Sequence, residues 1–134
     1  MTKKQADRIL WWIYRQLKTG SIPIYLQRLK GRTDGIFDPN NWWIVVDPSS
    51  CICRTLIHEF LHMKIPDASE SKICCLTRQV MSHVSNTQYH HLLSRLVSSA
   101  VNIPYHVDSK LLSHGEAAYL KGVKRCIINE AYIG

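Results

Sequence analysis

Residues 3–18 place Ala6, Ile9, Leu10, Ile13 and Leu17 at the spacing of one helical face, with Lys and Arg on the other faces and Gly20 to end the pattern. Trp11, Trp12 and Tyr14 widen that apolar band. From Ser21 the period falls to two: Ile22, Ile24 and Leu26 alternate, and the turn-forming run Gly31-Arg32-Thr33-Asp34-Gly35 follows. Gly35-Ile36-Phe37 meets a second turn, Asp38-Pro39-Asn40-Asn41. Trp42-Trp43-Ile44-Val45-Val46 is then rich in aromatic and β-branched residues, which suit a pleated, half-buried surface. These patterns predict an amphipathic first helix and a meander of about three strands in an antiparallel or mixed sheet.

Asp47-Pro48-Ser49-Ser50 stops the last strand and offers Ser or Asp caps to a helix carrying Leu56, Ile57, Phe60 and Leu61. Pro66 must end that helix, because the residue before a proline is pushed out of helical conformation. The spacing predicts another helix over residues 67–84, with Ile73, Leu76, Val80 and Val84 as its core stripe. Two more are expected over 87–100 and 108–128, separated by Asn102-Ile103-Pro104-Tyr105-His106. Helix, strands, then helices is the order of an α+β domain with segregated layers. At 134 residues, 46% of them hydrophobic, the chain suffices for one core, and a single domain over 1–134 is expected.

Charge adds a second feature. Residues 1–32 hold eight Lys/Arg (3, 4, 8, 15, 18, 28, 30, 32) against Asp7 alone, which accounts for the whole net charge of +7. A solvated helix face with long stems lying over apolar surface explains this. So does contact with nucleic acid or an acidic partner, although no nucleic-acid motif accompanies the charge. The five cysteines (51, 53, 74, 75, 126) are odd in number, and neither close pair has the two-residue gap of a zinc knuckle. Small core residues with reduced thiols are expected of them. No apolar run reaches membrane-spanning length and no signal-peptide core opens the chain, so a cytoplasmic protein with no membrane partner is the expectation.

The chemistry concentrates in His58-Glu59-Phe60-Leu61-His62. Residues four apart share a helix face, so His58 and His62 can present two imidazoles to one metal ion, with Glu59 beside them to take a proton from a metal-held water and return it to a leaving amine. This predicts hydrolysis of a peptide or protein substrate with Zn²⁺ as cofactor. A solvated or satisfied face bearing the same three residues is the bland alternative. A catalytic zinc takes a third protein ligand and keeps one position open. Glu70 is the nearest candidate, yet in an unbroken helix it would lie roughly 12 Å beyond His62 along the axis. Pro66 would have to turn the chain back. Asp67-Ala68-Ser69-Glu70 also reads as a capping box, in which Glu70 would bond the cap's own amide.

Thr55-Leu56-Ile57-His58-Glu59-Phe60-Leu61-His62, followed by Ile65-Pro66-Asp67-Ala68-Ser69-Glu70 and preceded by a strand ending in Asp47-Pro48, resembles small HExxH zinc metallopeptidase-like proteins of gluzincin type. The resemblance covers residues 34–84. It implies a zincin-like fold with His58, His62 and Glu70 as zinc ligands and Glu59 as general base. Larger gluzincins take their glutamate from further downstream, so Glu116 and Glu130 stay open as third ligands, as does a downstream histidine. In zincins a strand edge above the active-site helix holds extended peptide, which would give residues 42–47 that duty, with Trp42 or Trp43 flanking the groove. For the oxyanion, His83, His90, His91, Tyr105, His106 and His114 are all eligible. The competing reading is a non-catalytic zincin-like binding protein that uses its basic N-terminal third.

Overall fold

A computed structural model describes residues 1–31 and 33–100. The helix expected over 108–128, together with Glu116, Glu130, Tyr105, His106, His114 and Cys126, lies outside the described residues.

Helix α1 (Lys3–Thr19) buries Ala6, Leu10, Ile13 and Leu17, the stripe set by its apolar spacing. A capping box opens it: the Thr2 hydroxyl accepts from the Gln5 amide at 3.2 Å, and the Thr2 amide donates to Gln5 Oε1 at 2.8 Å. Gly20, at φ +64°, closes it in the left-handed region that glycine enters without a Cβ penalty.

Three strands follow, β1 (Ile24–Leu26), β2 (Gly35–Asp38) and β3 (Trp43–Val46), in the spatial order β1-β3-β2. The expected meander is corrected here. β1 pairs parallel with β3, and only β2 and β3 form a hairpin, so the sheet is mixed and β3 is its centre. Burial gives the reason. Ile44, Val45 and Val46 are all buried, and a strand covered on both faces is best placed between two partners. With both edges of β3 paired, residues 42–47 have no edge for a peptide, and that expectation is withdrawn.

Helix α2 (Ile52–Lys64) buries Ile52, Cys53, Leu56, Ile57, Phe60 and Leu61 against the sheet and α1, with Trp12 edge-on to Phe60 at 5.8 Å. Its N-cap is Cys51, which makes no side-chain cap bond. The serines and aspartate expected there do other work. Ser50 Oγ bonds the Asp47 carbonyl at 2.6 Å, and the buried Asp47 carboxylate accepts from the amides of Ser49 at 2.8 Å and Leu29 at 2.9 Å and from Ser49 Oγ at 2.6 Å. Asp47 thus ties the β1–β2 connection to the end of β3.

Helix α3 (Glu70–Met81) starts three residues later than the pattern suggested and buries Ile73, Thr77 and Val80. Cys74 and Cys75 fall off that stripe and are exposed, against the expectation of core cysteines, while Cys53 is buried as expected. Helix α4 (Asn86–Ala100) contributes Leu92, Leu93 and Leu96 to the core, and Ser85 and Gln88 exchange cap bonds at its start. The described residues therefore form an α+β unit of four helices and a three-stranded mixed sheet around one apolar cluster. Among them, no helix is long and apolar enough to cross a membrane.

Candidate metal centre

The break between α2 and α3 builds the site. The last turn of α2 closes with the Ile65 amide on the Leu61 carbonyl at 2.9 Å, and Pro66 cannot extend the helical ladder. The Ala68 amide then bonds the Ile65 carbonyl at 3.1 Å, turning the chain. Ser69, not Asp67, caps α3, its hydroxyl accepting from the Lys72 amide at 3.2 Å. The alternative capping box from Asp67 to Glu70 does not form. Glu70 becomes the first residue of α3, and its carboxylate is left to face α2.

There it meets both histidines. Glu70 Oε1 lies 2.8 Å from His58 Nε2, Oε2 lies 2.7 Å from His62 Nε2, and the two imidazole nitrogens are 3.2 Å apart. Two ring nitrogens and a carboxylate at such distances cannot all present bare lone pairs to one another; an imidazole N–H donated to the carboxylate relieves this, and so would a metal ion held by all three. Four-coordinate zinc with bonds of about 2.0–2.1 Å keeps its N and O ligand atoms about 3.3 Å apart. The three donors fit that triangle with an outward adjustment of about half an ångström or less.

A second layer orients His58. Thr77, 2% exposed, donates its hydroxyl proton to the Ile73 carbonyl at 2.8 Å, which leaves an oxygen lone pair facing His58 Nδ1 across a long 3.5 Å contact. That arrangement favours the proton on Nδ1 and turns the Nε2 lone pair toward Glu70 and His62. Thr77 was not anticipated from the sequence. The available signal was its place seven residues after Glu70, two turns along the same face.

Glu59 is held differently. It is 6% exposed, against the sheet side of α2, and accepts a hydrogen bond from the Phe37 amide of β2. Burial pushes its carboxyl up to about 7, the nearby Glu70 carboxylate adds to the rise, and the Phe37 N–H opposes it. Gly35 makes this approach of strand to helix feasible. A Cβ there would lie 2.6 Å from Thr55 Cγ2, 3.0 Å from Glu59 Cγ and 3.1 Å from the Val45 carbonyl. Only a residue without a side chain lets β2 lie this close to Glu59.

The outer edge of β2 is the one beside α2. Ile44 donates to Pro23, and Val46 accepts from Gln27, so those backbone groups turn toward β1. Their partners across the hairpin, Phe37 and Gly35, must then turn theirs away from β3. Phe37 packs edge-to-face on Trp42 at 5.6 Å, and Trp42 is held at φ +57°, an unfavoured conformation for a bulky residue.

Of the histidines considered for the oxyanion, His83 lies at the far end of α3, its Nε2 3.1 Å from the Met1 carbonyl, away from Glu70. His90 and His91 lie on α4, both exposed, and neither contacts Glu70. In the basic N-terminal third, Lys3 is engaged by the His83 carbonyl at 2.7 Å, by Gln88 at 3.0 Å and by Asp7 at 3.0 Å, whereas Lys4, Arg8, Arg15 and Lys18 are exposed. No family model, curated protein or solved structure matches the chain.

Proposed function

We infer that this chain is a zinc-dependent metallopeptidase with a zincin-like arrangement, in which His58, His62 and Glu70 hold the metal and Glu59 is the general base. The observation that carries the reading is the convergence of His58 Nε2, His62 Nε2 and the two Glu70 oxygens within 3.2 Å, from two helices that a proline turn folds back on each other. Two nitrogens and a carboxylate are a donor set suited to zinc, and three protein ligands are the number that leaves one position for a reacting group.

When bound, the ion supplies Lewis acidity for a water and a scissile carbonyl. The chain's own residues do the rest. Glu59 lies on the next position of α2, in a dry setting where its proton affinity is near neutral, which suits a group that must accept a proton and then give it up. Phe37 N–H fixes the orientation of its carboxylate, and Thr77 fixes that of His58. With the Phe37 N–H taken by Glu59, the Phe37 carbonyl and the outward groups of Gly35 give an extended peptide a strand to pair with, beside the base. The role first expected of residues 42–47 thus passes to β2.

Elemental analysis should find one zinc per chain, lost in His58→Ala and His62→Ala. Glu59→Gln should keep the zinc and lose cleavage of a broad peptide library. Full cleavage by Glu59→Gln would overturn the mechanism. Binding to nucleic acid that falls with salt, survives Glu59→Gln and weakens on neutralising Lys4 and Arg8 would instead favour the non-catalytic binding protein.

A further inference from the structure

Glu70 is not the only metal-binding side chain that α3 turns toward the histidines. Cys74, one turn further along, brings its Sγ to 3.8 Å from Glu70 Oε1, and the donor atoms of His58, Glu70 and Cys74 all lie within 4.8 Å of one another. Cys74 thus groups with His58 and Glu70, its thiol pointed at the carboxylate and exposed to solvent, and His62 joins that group through its own contacts with Glu70 and His58.

The distances are close to those of a bonded set. A tetrahedral zinc with a thiolate at about 2.3 Å and N or O ligands at about 2.0–2.1 Å separates sulfur from those ligand atoms by about 3.6 Å. Cys74 already meets that separation from Glu70 within a few tenths of an ångström. Toward His58 it needs a movement of about 1 Å, within the arc of one χ1 rotation, and nothing covers an exposed residue to prevent it.

We propose that the Cys74 thiolate is a reversible fourth metal ligand, closing the position that catalysis leaves to water and holding the enzyme latent. This rests on the zinc reading above and adds regulation of the same site. Zinc binds a thiolate more readily than neutral water, so the four-ligand set His58, His62, Glu70 and Cys74 is the resting state. Opening is a ligand exchange that requires no oxidant. The sulfur leaves as a thiol, taking one proton from the entering water, and returns by giving that proton up. Any modification that caps the thiol locks the site open. Cys75, its neighbour, sits about 100° further round the helix and cannot substitute for it.

Cobalt titration of the full chain tests this without reference to turnover. A Co²⁺ ion bound at the site should show a sulfur-to-cobalt charge-transfer band in the near ultraviolet. The band should vanish in Cys74→Ser, which still binds one cobalt, and persist in Cys75→Ser. Zinc should protect Cys74 from iodoacetamide in the wild type, read by mass mapping of the alkylated peptide, and Cys74→Ser should be the more active peptidase. One cobalt bound with no sulfur band, or a band that survives Cys74→Ser, overturns the proposal and leaves the zinc site standing. No cobalt or zinc bound at all overturns both.

Discussion

Replacing Glu59 by glutamine should stabilise the chelated protein at pH 8 and much less at pH 5. The rise of the Glu59 carboxyl from 4.5 to about 7, at about 1.4 kcal/mol per tenfold change in proton affinity, means that its ionisation costs the fold about 3 kcal/mol. The folded chain binds this proton more tightly than the unfolded chain. The cost is therefore absent below about 4.5, grows as pH climbs through the interval, and is complete above about 7. The amide of the Glu59→Gln variant carries no charge and is exempt from it. Any fixed penalty for seating that amide against Phe37 is the same at both pH values and drops out of the comparison. Urea unfolding of wild type and Glu59→Gln in EDTA, at pH 5 and pH 8, should give a difference in ΔΔG of about 2–3 kcal/mol, roughly 10 °C in Tm at the alkaline end. Saturating zinc should shrink that difference, because a cation beside the ionised carboxylate offsets the cost. Equal ΔΔG values at the two pH values would refute the assignment of Glu59 as a buried, destabilised base.

Gly35→Ala should lower stability by about 1–3 kcal/mol and lower zinc-dependent cleavage with it, since the new methyl meets Thr55 and Glu59 at 2.6 and 3.0 Å; thermal melts and a peptide assay check both. Thr77→Val keeps the shape of a buried side chain and removes the oxygen facing His58, so zinc affinity should fall about tenfold in a competition titration while the chelated protein melts within a few degrees of wild type. Asp47→Ala should cost about 2–4 kcal/mol, read by urea unfolding at pH 7, because it strands the Leu29 and Ser49 amides. Burial works against ionised Asp47, but the Ser49 and Leu29 bonds prevail and hold its carboxyl below the ordinary range. That contribution is present above the unfolded carboxyl's range and is lost as pH falls through the lowered value, so the Asp47→Ala deficit should narrow in acid.

Much of this was legible along the chain. The period-3.6 stripe of α1 named Ala6, Ile9, Leu10, Ile13 and Leu17, and all but the half-buried Ile9 are buried. The proline at 66 marked the end of α2 to the residue, because a missing N–H and a restricted predecessor are local facts. His58 and His62 followed from helical geometry alone, since two residues four apart must share a face. Local chemistry misled where two local solutions competed. Asp67 and Ser69 both make good caps, and the sequence gives no ground for choosing between them; Ser69 won once Ala68 bonded back to Ile65.

Relations between segments needed the tertiary structure. Strand order is one: Ile22 to Leu26 reads the same whether β1 pairs with β2 or with β3, and the fully apolar Ile44-Val45-Val46 became central because both its faces are covered. Cys74 and Thr77 are another, ordinary helix positions until α3 folds back along α2 and sets them beside His58. The sequence by itself determined which two histidines share a face and where their helix stops, since both depend on backbone geometry over a few residues. Only the folded chain decided that Glu70 closes the triangle, because that requires a cap choice, a turn and the packing of two helices to agree within an ångström.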